Sequence, residues 1–262
     1  MAKILIMGGA GYIGSHTLKH LKEHGYDVLV ADNLSTGHKE AVMDSLLITA
    51  DLLDENALNE LFSTYQIEAV VDFAAFSLVG ESVSDPAKYY RNNVVGTFNL
   101  LEAMRRFGVN KIVFSSTCAT YGQPHYVPMD EKHPQTPINP YGQTKLAIEN
   151  MFRDYHQAYG LKYIALRYFN AAGADESALI GESHHPETHL IPLVLQAVKG
   201  ERENVKIFGS DYETPDGTCL RDYIHVSDLA AAHRLALEKL DKYQGYINLG
   251  TGIPTSVLEI IK

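Results

Sequence analysis

The sequence predicts an α/β fold, with a doubly wound parallel sheet and a smaller, interleaved lobe. Three observations support this prediction. Short, nearly continuous apolar runs alternate with longer amphipathic stretches, which is typical of βαβ units. A glycine-rich turn stands directly after the first apolar run and before the first amphipathic stretch. With 262 residues, 45% of them hydrophobic, the chain can bury a large core.

Strands and helices alternate regularly in the first part of the chain. The predicted strands are apolar along their length, as strands covered on both faces should be. They span residues 4–7, 28–31, 69–75, 111–115 and 163–166. The predicted helices span residues 12–24, 55–65, 88–106 and 141–158.

The alternation weakens after residue 170, which suggests a second lobe. A loop over 171–190 precedes a helix near 190–199, a strand near 205–208, a turn-rich stretch over 210–218, a strand near 222–226 and a helix over 227–240. We therefore expect one domain over 1–170 and mainly a smaller lobe over 171–262, with 222–250 returning to the sheet. Residues 255–262 begin a helix without room to finish it, so we expect the fold to be truncated at the C-terminus.

Composition excludes several classes of partner. The formal net charge is −10, with scattered Lys and Arg, which argues against nucleic acid or an anionic membrane as the main partner. Cys118 and Cys219 are the only cysteines, too few for a disulfide framework or a cysteine-based zinc site. The N-terminus lacks a signal-peptide pattern and no apolar run reaches the roughly 18 residues of a membrane span, so we expect a cytoplasmic protein.

The glycine-rich turn predicts a dinucleotide site. Its glycines can be read as G-x-x-G-x-x-G over Gly8, Gly11 and Gly14, which we prefer, or as G-x-G-x-x-G from Gly9. Glycine permits the tight turn and lets a pyrophosphate approach the N-terminus of the following helix. A glycine turn without a ligand is the alternative interpretation.

Two acidic residues after strands add to this prediction. Asp32 ends the second strand about 20 residues further on, where a carboxylate would bind the adenosine ribose. It is followed by Asn33 and not by Arg, which favours NAD over NADP. Asp51 and Leu52, which follow a further strand between those at 28–31 and 69–75, could contact the adenine. Either aspartate could instead cap a helix.

Tyr141 and Lys145 form the candidate catalytic pair. They stand four residues apart at the start of a predicted helix and therefore share one face. A nearby cation favours the phenolate and would lower the pKa of Tyr141 toward the neutral range. Thr117 ends the preceding strand at the carboxyl edge of the sheet, where its hydroxyl could bind the same substrate oxygen.

These residues resemble the extended short-chain dehydrogenase/reductase family, and the resemblance covers essentially the whole chain. The Gly8/Gly11/Gly14 spacing and the Thr-Tyr-Lys set match that family. Within it the sequence looks like the nucleotide-sugar 4-epimerases that interconvert UDP-glucose and UDP-galactose. The matching segments are residues 9–16, 79–82, 92–94, 117–122, 140–142, 166–170 and 217–226.

The resemblance implies a Rossmann sheet, tightly bound NAD, a UDP-sugar substrate and a homodimer built on helices 88–106 and 141–158. Tyr141 would be the general base at the sugar C4 hydroxyl, Lys145 would bind the nicotinamide ribose, and Thr117 would position the hydroxyl. The implied NAD contacts are Gly8, Gly11, Tyr12, Ile13, Gly14, Asp32, Asn33, Asp51, Leu52, Phe73, Ala74, Ala75, Asn92, Tyr141, Lys145 and Phe169. The implied substrate contacts are Thr117, Tyr141, Asn170, His189, Leu190, Phe208 and Arg221.

Two positions depart from the family pattern, and several alternatives stay open. Ser77 replaces a lysine near the NAD, and His189 replaces an asparagine that often contacts the substrate. Cys118 and Ala119 after Thr117 lack the acid pair of a 4,6-dehydratase, which argues against dehydration. A 4-epimerase for UDP-N-acetylhexosamines, uronates or pentoses, or a non-catalytic NAD-binding regulatory module, remains an alternative.

The histidines at 184, 185 and 189 raise the question of a metal. No carboxylate or cysteine pattern supports a metal site there, so we expect a solvated loop and no metal.

Overall fold

A computed structural model describes residues 2–262 and places a seven-stranded parallel sheet at the centre of the molecule. Its strands are β1 (Lys3–Met7), β2 (Val28–Asp32), β3 (Leu46–Thr49), β4 (Ile67–Asp72), β5 (Lys111–Thr117), β6 (Lys162–Tyr168) and β9 (Gly245–Leu249). They lie in the order β3-β2-β1-β4-β5-β6-β9. The chain order reverses between β1 and β4, and ligands of such sheets bind in the crevice at that point.

Helices cover both faces of this sheet. The α-helices of the described residues are α1 (Tyr12–Glu23), α2 (Glu55–Thr64), α3 (Val79–Ser84), α4 (Pro86–Tyr89), α5 (Gly96–Arg106), α6 (Pro140–Tyr159), α7 (Leu190–Val198), α8 (Val226–Lys239) and α9 (Val257–Ile261), of which α7 and α9 pack against each other in the smaller lobe. Leu5 belongs to the core on the side of α2, α5 and α6, whereas its neighbour Ile6 belongs to the core beside α1 and α8. Because both faces are covered, the central strands β1, β2, β4, β5 and β6 are mostly apolar, with polar residues mainly at their ends.

A second, three-stranded sheet carries part of the smaller lobe. It consists of β7 (Asn170–Ala172), β8 (Leu220–His225) and β10 (Pro254–Ser256), in the order β10-β8-β7. β7 and β8 are parallel, and β10 is antiparallel to β8. Asn170 pairs with Tyr223, so the small sheet begins two residues after β6 ends.

The predicted fold class is confirmed, and the structure corrects several elements. No strand forms over 205–208, because this stretch pairs with neither sheet and Phe208 is 85% exposed. The helix predicted over 88–106 is divided by a π-helical turn, Tyr90–Val95. Of the segment 222–250, β9 joins the large sheet, whereas β8 lies in the small one.

No helix within residues 2–262 is both long and apolar enough to cross a membrane. The division into domains at residue 170 stays a prediction.

Candidate active site

The turn between β1 and α1 is packed too closely for any residue but glycine at two of its three positions. Gly8 has φ +74°, and a Cβ there would lie 2.8 Å from the backbone nitrogen of Ala74. A Cβ on Gly14 would lie 2.3 Å from the carbonyl oxygen of Gly8. At Gly11 the nearest atom would be 3.5 Å away, so this face of the turn is open. The amides of Tyr12 and Ile13 begin α1, where an α-helix leaves N–H groups available for an anion.

Hydrogen bonds to Asp32 and Asp51 hold the backbone on the side of this site where adenosine is expected to bind. The Asp32 carboxylate accepts hydrogen bonds from the amides of Ala10 (2.9 Å) and Leu34 (2.8 Å). Asn33 donates to Asp51 at 2.8 Å, which joins the ends of β2 and β3. Neither aspartate caps a helix, since Asp54 is the N-cap of α2. The chain thus fits a dinucleotide here, with a glycine turn, open helix amides and carboxylates at the strand ends.

A buried asparagine orders the loop that follows β4. Asn93 is fully buried, and its side chain accepts from the amide of Phe76 (2.9 Å) and donates to the carbonyl of Phe76 (3.0 Å). Its amide nitrogen also lies 3.2 Å from Thr144 Oγ1 on α6. The loop, which includes Phe73, Ala74 and Ala75, is thereby fixed to the helix that carries Tyr141. Asn92 stands beside it and donates to Asn93 at 2.9 Å.

The Thr-Tyr-Lys residues come together at the carboxyl edge of the sheet. Thr117 is the last residue of β5, and Tyr141 and Lys145 lie in the first turns of α6. Asn139 caps α6 by accepting from the amide of Gly142 at 2.8 Å, which fixes where the helix begins. Lys145 is buried, and its ammonium donates to the carbonyl of Ser115 at 2.7 Å.

The titration of this set differs from the expectation. Burial raises the pKa of Tyr141, although a hydrogen bond with Thr117 opposes that shift. The expected lowering by Lys145 does not occur in this structure, where the Lys145 ammonium donates to the Ser115 carbonyl. Burial also lowers the pKa of Lys145 to about 8, against the opposing charges of Asp72 and Glu149.

A buried ion pair joins β6 to α6, the helix that carries Tyr141 and Lys145. Arg167 on β6 and Glu149 on α6 are each 1% exposed and form two hydrogen bonds, of 2.6 and 2.9 Å. Ser116 donates to Glu149 at 2.6 Å, and Arg167 donates to the hydroxyl of Tyr121 at 2.8 Å. Glu149 lies one turn of α6 after Lys145, so this network fixes the position of the helix relative to β5 and β6.

Besides Thr117 and Tyr141, the residues expected to bind substrate lie in the second lobe. Asn170 begins β7, Phe169 precedes it, and Arg221 lies on β8 near Cys118. His189 is the N-cap of α7 and Leu190 its first residue. Phe208, unlike these residues, lies in or next to no helix or strand, and its side chain is largely exposed.

The contributions of Asn93, Asp72 and the Glu149–Arg167 pair went unrecognised in the sequence. All of them are buried polar residues in or beside apolar segments. Buried polar groups need partners, so a polar residue inside an otherwise apolar strand or helix face was the available signal.

Comparison with known proteins gives consistent results. The model of the NAD dependent epimerase/dehydratase family matches residues 4–250. The UDP-glucose 4-epimerase of Halalkalibacterium halodurans is 56% identical over 99% of this chain and 78% of its own length. The crystal structure of the Brucella ovis UDP-glucose 4-epimerase in complex with NAD superposes with a TM-score of 0.96 at 55% identity, covering 99% of this chain and 81% of that one. The Bifidobacterium longum UDP-glucose 4-epimerase, solved with NAD+ and UDP, gives a TM-score of 0.94 at 40% identity, covering 98% and 81%.

Proposed function

The chain belongs to the NAD dependent epimerase/dehydratase family, and on that premise we propose that it interconverts UDP-glucose and UDP-galactose with retained NAD. The observation that carries the proposal is that Thr117, Tyr141 and Lys145 lie at the same carboxyl edge of the sheet as the glycine turn. When bound, NAD would accept a hydride from C4 of the sugar and return it to the opposite face.

The chain's own residues would bind and orient the sugar and move one proton. The phenol oxygen of Tyr141 would take the proton of the C4 hydroxyl as that carbon is oxidised, and give it back on reduction. The Thr117 hydroxyl would hold the reacting oxygen. Because burial raises the pKa of Tyr141, the phenolate needs a positive group at the site. The Lys145 ammonium and the cofactor's ring are the groups able to supply that charge.

The residue after Thr117 argues against dehydration of the same intermediate. Cys118 occupies this position, and burial raises the pKa of its thiol to about 11. A neutral thiol is a poor acid or base near pH 7, so no group here would remove a proton from C5 and expel the C6 hydroxyl.

The nucleotide would bind between the two sheets. Arg221 presents a planar fork of donors suited to a diphosphate. The backbone at Asn170, His189 and Leu190 lies where β7 and α7 begin. An anchored nucleotide would let the oxidised sugar turn over without leaving. The hydride would then return to the same sugar, so the reaction would have no net redox change.

Replacing Tyr141 with Phe tests the proposal. Tyr141→Phe should lower kcat for UDP-galactose by about 10²–10⁴-fold while leaving NAD bound, since only the proton transfer is removed. Tyr159→Phe, an exposed tyrosine at the other end of α6, is the matched control and should retain wild-type turnover. NAD is measured after denaturation of the purified protein. Unchanged turnover in Tyr141→Phe, or activity only with a stoichiometric supply of NAD, would contradict the proposal.

We also propose that the protein is a homodimer. Val95, the last residue of the π-helical turn, and Phe98 on α5 are 47% and 45% exposed, and we expect this apolar face to pack against a second copy. Light scattering should show a dimer for the wild type and for Val127→Glu, an exposed apolar residue elsewhere, but a monomer for Phe98→Glu. A cytoplasmic location, measured by cell fractionation, completes the proposal.

A further inference from the structure

Four metal-binding side chains converge between β7 and α7. Glu182, His184, Glu187 and His189 each offer one ligand atom, and these atoms all lie within 4.8 Å of one another. The two glutamate side chains are 9% and 7% exposed, so the cluster's carboxylates are almost withdrawn from water.

The four histidine–carboxylate separations are close to those of donors around one small ion. Nδ1 of His184 lies 3.4 Å from Glu182 and 3.6 Å from Glu187, and Nδ1 of His189 lies 2.9 Å and 3.2 Å from the same two carboxylates. Ligands about 2.0–2.2 Å from a tetrahedral Zn²⁺ stand about 3.3–3.6 Å apart. Little movement would therefore bring all four atoms to coordination distance.

Hydrogen bonding alone leaves the cluster incomplete. Nδ1 of His184 is buried and makes no hydrogen bond with any residue in 2–262. A neutral imidazole also has only one N–H, so His189 Nδ1 can serve one of the two carboxylates that face it. Two nearby buried carboxylates repel each other, and a central cation would satisfy both, together with the lone pairs of the two imidazoles.

We propose that Glu182, His184, Glu187 and His189 form a zinc site. Two imidazoles and two carboxylates suit Zn²⁺ better than Mg²⁺ or Ca²⁺, which take six or more oxygen ligands. The sequence-based expectation of a solvated loop overlooked Glu182 and Glu187. Their relation to the histidines appears only when the segment folds back to the N-terminus of α7.

The site would fasten this segment over the cofactor turn. His184 stacks edge-on against Tyr12 at 6.3 Å between ring centroids, and the carbonyl of Ser183 lies 2.8 Å from His38 Nε2. Tyr12 in turn donates to the carbonyl of Gly173 at 2.5 Å. A metal bound here would hold Glu182 and His184 close to His189. The contact of His184 with Tyr12 would then hold this segment against the first turn of α1.

Titration of untagged, chelator-treated protein with Zn²⁺ against a chromophoric chelator tests the proposal. One Zn²⁺ should bind per chain, and binding should weaken at least tenfold in His184→Ala and in Glu187→Gln. His185→Ala is the matched control, since His185 lies in the same segment outside the cluster, and it should bind as the wild type does. Co²⁺ in place of Zn²⁺ should give the intense visible bands of a tetrahedral site.

Far-UV circular dichroism establishes that each variant is folded. If His184→Ala does not fold, His184→Gln takes its place in the titration. Failure of the folded wild type to bind stoichiometric Zn²⁺ would overturn the proposal. Equal binding in the wild type and all cluster variants would also overturn it, because the ion would then sit elsewhere, for example at Cys118 or Cys219. Neither result depends on epimerase activity.

Discussion

At the scale of single residues, burial shifts the titration of several groups near the nucleotide site. Burial raises the pKa of Asp72 to about 6 and lowers that of His233 to about 4. His233 is fully buried, packs at 4.6 Å between ring centroids against Phe73, and its Nε2 makes no hydrogen bond with any of the described residues. The protein therefore carries a neutral imidazole directly behind a residue expected to contact NAD.

His233 should make the protein less stable in mild acid. Its folded pKa lies below the unfolded value of 6.5, so its contribution to stability is present above pH 6.5 and is lost as the pH falls toward 4. Between pH 7 and 5 the loss amounts to about 2 kcal/mol. His233→Gln should remove that part of the pH dependence, measured by urea denaturation at both values.

Asp72 acts in the opposite sense over the same range, because its folded pKa is raised and its stabilising contribution falls as the pH rises through about 6. The informative quantity is therefore the difference between His233→Gln and the wild type. The exposed His185, changed to Gln, should keep the wild-type pH dependence. If His233→Gln also keeps it, the imidazole is not held neutral by burial.

Asn93 should be needed for both stability and NAD retention. Asn93→Leu keeps the volume but leaves the amide and carbonyl of Phe76 without their partner. An unsatisfied buried group costs about 1–3 kcal/mol, so a loss of about 2–4 kcal/mol is expected by urea denaturation. Asn56→Leu, on an exposed position of α2, should change stability little. Retention of full stability and full NAD content by Asn93→Leu would show that the loop is ordered without this side chain.

At the scale of elements, the closest packing lies where β1, α1 and the loop after β4 meet. Gly14→Ala would place a methyl group 2.3 Å from a backbone oxygen, which cannot rotate away. The turn must therefore open, and NAD affinity should fall at least tenfold. Gly80→Ala in α3, where a Cβ would meet no atom within 4 Å, should bind NAD normally and gain up to about 1 kcal/mol. Full NAD content in purified Gly14→Ala, measured after denaturation, would mean that the turn adapts.

The elements that the sequence predicts well are those with a strong local pattern. β1, β2, β4, β5 and β6 are buried on both faces, so their apolar runs are continuous and all five were predicted within a few residues. β9 was missed because Gly245–Leu249 is only partly buried and follows a turn. The π-helical turn Tyr90–Val95 was missed, and its residue Asn93 contacts Phe76, which is 17 residues away and leaves no local pattern.

At the scale of the whole molecule, the candidate site is predictable where a sequence motif stands next to the end of a predicted strand or the start of a predicted helix. Gly8 and Thr117 lie at the carboxyl ends of β1 and β5, and Tyr141 lies in the first turn of α6, which the order of predicted elements already implies. The second lobe gave less information, because β7, β8 and β10 pair segments more than 30 residues apart. Pairing over such distances depends on the whole chain and leaves little local pattern.

The Arg167–Glu149 pair connects these parts of the molecule and should dominate their stability. Arg167 joins β6 to α6 through Glu149, reaches Tyr121 after β5, and stacks 4.2 Å from the ring centre of Tyr246 on β9. Arg167→Met removes the charge that compensates a buried carboxylate, so a loss of about 3–5 kcal/mol is expected.

The double variant Arg167→Met with Glu149→Leu distinguishes a buried uncompensated charge from a simple packing defect. Removing both charges should restore much of the lost stability, because no ion is then left without a partner. Recovery should stay incomplete, since Ser116 and Gln135 both donate to Glu149 and would lose their acceptor, at about 1 kcal/mol or more each. Urea denaturation of the wild type, both single variants and the double variant gives the coupling energy directly. Additive losses in the double variant would mean that the two side chains act independently, and that the catalytic helix is held in place by its apolar contacts alone.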